Sequence, residues 1–434
     1  MRRTETGEAM RGKAGNTVRK TARGTALLAV AIALGMIGIA ACGGSQPATT
    51  PDGKTELTWA MWVAGTEDTN AWQKVADEAG AAAGVHITLQ GSTFSDHFTK
   101  MSTQLAAGDA PCLVAVQSLR TAQLKDGMLP LGDLVKSNNV DLSVFDRSMT
   151  DGLSADGNLY ALPYDVGPMM MFYNKDMFAA AGLPQPKPGW TTAEFLEAAK
   201  KLTTGGKYGI AANPNDLAIE SQVLAFNGGR VLTPAGKLDL GNADFARGLQ
   251  WVSDLTSVQK LSPQYPGGDN LFYASNQFTS GAVAMSIDGP WSLLDTKSKA
   301  RFNVGVTTLP AGPGGGKTYS AGSGWGISKN CATPDKAFAA LKEMTGAKIL
   351  GELGSAGRAL PARTAQQQLW IDHANIPGVA DPLKAAFADA VPIPSNPASE
   401  QLGQLFNQYL VKTINGQEPA AAVMAEIAAQ MPPS

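Results

Sequence analysis

From Leu57 onward, short apolar runs alternate with segments whose apolar residues recur at helical spacing, and few folds accept such a chain. Leu57–Val63 is apolar and aromatic and stops at Ala64-Gly65, as a buried strand does. Trp72, Val75, Ala76, Ala79 and Ala83 then repeat with a helical period up to Gly84. His86–Gln90 alternates as a strand. Phe98, Met101, Leu105 and Ala106 mark a helix ending at Gly108, and Leu113–Val116 is a third strand. Strands alternating with helices imply an α/β fold, a parallel sheet with helices on its faces. Further along, Thr191 and Glu194 form a capping box ahead of Phe195, Leu196, Ala199 and Leu202. Asn242 can cap a helix carrying Phe245, Leu249, Val252 and Leu255. Thr333-Pro334 opens one that buries Ala337, Phe338, Leu341 and Met344. A chain of 434 residues exceeds one core of about 50–250 residues, so two domains are expected.

The N-terminus sets the compartment. Seven Arg/Lys residues precede the uncharged run Thr25–Ala41, the pattern of a secretory signal. Ile39-Ala40-Ala41-Cys42-Gly43 resembles a bacterial lipobox, which implies cleavage before Cys42 and a lipid on its thiol. Residues 1–41 then form the signal peptide and residues 42–54 a lipidated Cys and flexible tether. Removing residues 1–41 takes the net charge from −2 to −7. An acidic body argues against a nucleic-acid partner, whose phosphates need a basic face. Cys112 and Cys331 either pair, as exported cysteines often do, or remain buried thiols.

Catalytic constellations are scarce. His86, His97 and His373 are scattered, and neither HExxH nor G-x-S-x-G occurs, so no metal or cofactor is expected. Ala311–Thr318 fits a relaxed phosphate-loop pattern, but the residues after it cannot start the helix such a loop requires. A secreted glycosidase would need two poised carboxylates, and Glu67, Asp165 and Asp288 are the candidates.

Six segments, in order, are similar to one known family. They are Leu105–Pro111, Asp156–Tyr164 running into Phe172–Asp176, Gly189–Phe195, Phe278–Trp291, Gly305–Pro310 and Gly357–Arg363. Together they resemble the extracellular solute-binding proteins, the family that includes the maltodextrin-binding protein. The resemblance implies a two-lobed periplasmic-binding-protein fold, type II-like, with a multi-crossover hinge and an interlobe ligand cleft. It places lobe I at 55–163 plus 321–358 and lobe II at 164–320 plus 359–434. The chain would cross the hinge near Pro163–Pro168, Tyr319–Ser323 and Arg358–Pro361. The implied function is that of a non-enzymatic lipoprotein on the outer face of the cell membrane. It would capture a sugar by lobe closure and, as a monomer, deliver it to the permease of an ABC importer. A non-sugar solute such as a polyol phosphate or a peptide is the alternative.

Aromatic planes bind the apolar faces of a sugar, and planar polar side chains bind its hydroxyls. Trp291, directly after Asp288-Gly289-Pro290, is the leading candidate for a stacking wall. Trp62, Thr66 and Glu67 follow the first strand; Gln117, Ser118 and Arg120 follow the third. Tyr164 and Asp165 belong to the first crossing, Ser323 and Trp325 to the second, and Arg358 to the third. Gly167 stands where the maltodextrin relative suggests an acidic residue, and Val116 where it suggests a Trp.

Overall fold

The structure, a computed structural model, describes residues 49–432 apart from 269 and 271. The expected signal peptide, Cys42 and most of the expected tether lie outside the described residues. The strand–helix alternation appears as β1 (Thr55–Trp62), α1 (Thr66–Ala83), β2 (Val85–Ser92), α2 (Phe94–Ala107) and β3 (Leu113–Gln117). Gly84 and Gly108 end the two helices in the left-handed region, at φ 67° and 79°, where only glycine is unstrained. The next strands and helices that matter here are β4 (Ala161–Pro168), β5 (Met170–Asn174), α3 (Thr192–Leu202), α4 (Asp216–Asn227) and α5 (Ala243–Ser257). After them come β6 (Met285–Asp288), β7 (Val304–Thr307), β8 (Thr318–Ile327), α6 (Pro334–Met344), β9 (Ala390–Pro392) and α7 (Ser399–Ile414).

The caps explain the helix starts. Thr191 accepts from the Glu194 amide while Glu194 reaches back, completing the capping box of α3. Asn242 accepts from the Phe245 amide at the start of α5. Thr333 precedes α6 without a side-chain cap; Pro334 at the first turn suffices to fix the entry.

Two sheets organise two lobes. In the larger, β2, β1 and β3 run parallel, and β8 lies antiparallel beside β3. β8 also pairs with β4 along its other flank and with β9 near its start. The smaller sheet is antiparallel, with β5 between β6 and β7. Leu57, Trp59, Met61, Trp72, Trp325 and Phe338 fill the core of the first. Met171, Tyr173, Phe195, Leu255 and Ile287 fill one core of the second, and Phe172, Phe245, Phe278 and Phe406 another.

Three chain segments lie side by side at this flank of the larger sheet. β4 pairs with β8, Asp165 opposite Ser323. Asp165 also faces Pro361. The Val166 amide donates to Leu360 O at 3.1 Å and the Ala362 amide to Tyr164 O at 2.9 Å. All three regions read from the sequence as crossings meet here.

Cys112 and Cys331 form a disulfide, with Cα atoms 4.7 Å apart. They close the end of the β3–β8 ladder remote from Gln117, where the Ser328 amide donates to Cys112 O at 2.9 Å.

Candidate functional site

Parallel strands end together, so their C-terminal ends share one edge of the sheet. Trp62 on β1 lies opposite Ser92 on β2, and Ser323 on β8 lies opposite both Gln117 and Asp165. The residues chosen from sequence after the first and third strands therefore gather on one edge with Asp165. Thr66 and Glu67 are exposed at the start of α1.

One corner of that edge is aromatic. Trp62 packs edge-on against Phe94 at 5.7 Å and beside Phe98 at 5.5 Å, and Phe94 keeps 39% of its surface open. The Arg120 guanidinium lies 4.2 Å over Phe98, and its Nε donates to Gln117 Oε1 at 3.1 Å. Arg120 is ion-paired with Glu400 on α7. His97 supports this corner from beneath: one ring nitrogen bonds Ala115 O at 2.9 Å, and burial pushes its pKa down to about 4. The sequence reading gave Phe98 only to the buried face of a helix and did not name Phe94. Their signal was positional: Phe94 directly follows Thr93, which caps α2 at the strand edge that carries Trp62.

Between the sheets the chemistry is acidic. The Asp165 carboxylate accepts from the Ser323 amide at 2.6 Å. Burial nonetheless pushes its pKa up to about 7, against the pull of that amide and of Arg358. Asp288 accepts from the Gly289 amide at 2.7 Å, and burial raises it to about 6. Trp291 stands just beyond, 48% exposed. Arg358 pairs with Asp68 at 2.5 Å and lies 4.3 Å over the Trp72 ring. Among sequence-chosen residues, both arginines therefore already hold carboxylate partners, neither of which the sequence pointed to. On the face of α4, Asp216 and the buried Glu220 are both pushed up by burial, with Arg120 acting on Asp216.

Four candidates are corrected. Side chains alternate along a strand, so when Asp165 and Gly167 face the gap, Tyr164 and Val166 face the core. Tyr164 is 2% exposed and stacks at 4.4 Å on Trp325, itself fully buried against Trp59 and Trp72. Both rings belong to the core. Ser118 and Ser323 are also buried; the Ser118 hydroxyl accepts from the Gly322 amide at 3.4 Å. They brace the strands beneath the edge.

The phosphate-like loop has the wrong polarity. Its amides at Gly312, Gly314 and Gly316 donate to the carbonyls of Ala225 and Phe226, which end α4. They cap a helix C-terminus and have no donors left for an anion. Two surface pockets, of about 250 and about 380 Å³, lie beside Arg363 and around Ile371–Asp381. Neither includes a residue of the edge described above. Among the described residues, no His/Cys/Asp/Glu group is arranged to hold a metal ion, and no helix is long and apolar enough to cross a membrane.

Residues 64–349 match the pattern of a family described as bacterial extracellular solute-binding protein. A lactose-binding protein of Rhizobium radiobacter is 26% identical over 62% of this chain and 66% of its own length. An sn-glycerol-3-phosphate-binding periplasmic protein of Pectobacterium atrosepticum is 27% identical over 47% of this chain and 48% of its own. The chain thus spans from about half to about two thirds of these relatives. Among solved structures, an ABC substrate-binding protein of Listeria monocytogenes in complex with cycloalternan superposes with a TM-score of 0.75 at 22% identity. That match covers 87% of this chain and 97% of the other.

Proposed function

Starting from the premise that the chain belongs to the bacterial extracellular solute-binding proteins, we propose that it captures a sugar between its lobes and passes it unchanged to an ABC permease. Two observations support this reading: Trp291 is exposed after the Asp288-Gly289-Pro290 turn, and Trp62, Phe94 and Phe98 pack together at the edge of the larger sheet. Two such planes suit the faces of a sugar ring. Asp165, Asp288 and Gln117 supply acceptors and donors for its hydroxyls. Lobe I comprises 55–163 with 321–358, and lobe II 164–320 with 359–434. They close about the three paired segments, as hinged binding proteins do. Lipidation at Cys42 holds the monomer at the outer face of the membrane, and the permease receives the loaded form.

A polyol phosphate is disfavoured by charge, since it needs converging free cations. Arg120 and Arg358 are each neutralised by a carboxylate. The deciding experiment is a thermal-shift and calorimetry screen with lactose, maltotriose and sn-glycerol-3-phosphate. A ligand that binds only the folded state raises Tm. A sugar response without a phosphate response is expected; the reverse overturns the sugar reading. Detergent partitioning checks the anchor: wild type enters the detergent phase, and Cys42→Ala does not. An aqueous wild-type protein with no acyl mass at Cys42 overturns the lipoprotein reading.

A further inference from the structure

Gly167 and Gly289 share one neighbour. A Cβ at Gly167 would lie 2.8 Å from Pro290 Cδ and 2.9 Å from Trp291 Cζ3. A Cβ at Gly289 would lie 2.3 Å from Trp291 Cη2 and Cζ2. Cβ atoms essentially never approach other atoms within 3.0 Å, so a side chain at either position would displace the indole.

Neither glycine is required by its backbone. Gly289 is extended, at φ −100° and ψ 167°, which any residue adopts. Gly167 lies in β4 and has no positive φ. What both provide is space, the other use of glycine. The indole occupies that space while nearly half of its surface stays open.

We propose that Gly167 and Gly289 are positioning residues that seat the Trp291 indole in the orientation that meets a sugar ring. This rests on the reading of Trp291 as a wall of the cleft. An acidic side chain at position 167 and an indole seated against it exclude one another. At this point the cleft therefore offers an apolar plane instead of a hydroxyl acceptor. The receptor is tuned to a sugar that presents a broad C–H face there.

The test is a double-mutant cycle on the full-length protein in detergent, with lactose and maltotriose as probes and the tighter one carried through. Gly289→Ala is expected to weaken binding about tenfold or more, as disturbing a central aromatic anchor does. Gly167→Ala should act in the same direction with a smaller effect. In the Trp291→Ala background each should change affinity by less than about twofold, because groups acting through one side chain are not additive. Equal losses in both backgrounds, or an unchanged Gly289→Ala, overturn the seat. An unchanged Trp291→Ala instead overturns the cleft reading beneath it. A ligand-free readout uses 5-fluorotryptophan and ¹⁹F NMR, with the Trp291 resonance identified by its loss in Trp291→Phe. Gly289→Ala must shift that resonance; an unmoved signal refutes the proposal whatever the sugar does.

Discussion

Replacing Cys112 and Cys331 by alanine should cost much stability and almost no affinity. The bridge spans a sequence separation of 219 residues and encloses the entire smaller sheet. In the chain-entropy description, releasing a loop of that length from the unfolded state costs about 5 kcal/mol at 25 °C. For a body of this size that corresponds to a fall in Tm of roughly 5–10 °C. The bond sits at the start of β3, whereas the candidate cleft begins beyond its end at Gln117. Both half-cystines border the core of the larger sheet, so the bridge braces one lobe and leaves the space between the sheets untouched. Calorimetry with and without reductant, on wild type and double variant, gives the stability term; sugar titration gives the affinity. A Tm that moves by less than about 1 °C refutes the loop-closure argument, because removing a native bridge typically costs about 2 kcal/mol or more. A large loss of affinity in the folded variant refutes the claim that the cleft is independent of the bridge.

Two tryptophans should give opposite signatures. Trp291→Ala is expected to lower sugar affinity by about thirtyfold with little change in Tm, whereas the fully buried Trp325→Ala should cost about 3–5 kcal/mol of stability; matching Tm losses would refute the contrast. Asp165 titrates near 7 when folded and near 4 when unfolded, so the native state holds its proton more tightly and stability should fall as pH rises from about 4 to about 7. Asp165→Asn should flatten that part of a Tm-against-pH curve, and an unaltered slope would show that its burial is relieved in solution. Lys317→Ala should leave stability within about 0.5 kcal/mol. Nucleotide binding that vanishes with Lys317 would contradict the helix-capping role of the loop.

The fold was largely legible because its signals are local. Helix stops at Gly84 and Gly108, the Thr191–Glu194 box and the Asn242 cap are chemistry between residues a few positions apart. The exposure of Trp291 was legible for a related reason: an Asp-Gly-Pro turn at the end of a short strand carries the chain to the rim. The neighbouring Tyr164 and Trp325 misled, because strand phase decides which face a residue takes, and a bulge between Ser323 and Gly324 shifts that phase. The partners of Arg120 and Arg358 could not be read at all. Glu400 lies 280 positions from Arg120, and only the folded chain brings them together. The cysteine pairing was undecidable for the same reason.

β4 is zipped by backbone hydrogen bonds to β8 on one side and to the Leu360–Ala362 segment on the other, and so the three behave as a ribbon and not as loose threads. A ribbon resists stretching and edgewise shear, but twists at little cost because its bonds rotate with it. Lobes joined this way are expected to turn about the ribbon axis while their separation and register stay fixed. On the proposed function, such a trajectory would be close to one-dimensional, and the two walls of the candidate cleft would meet in the same mutual alignment each time the lobes close.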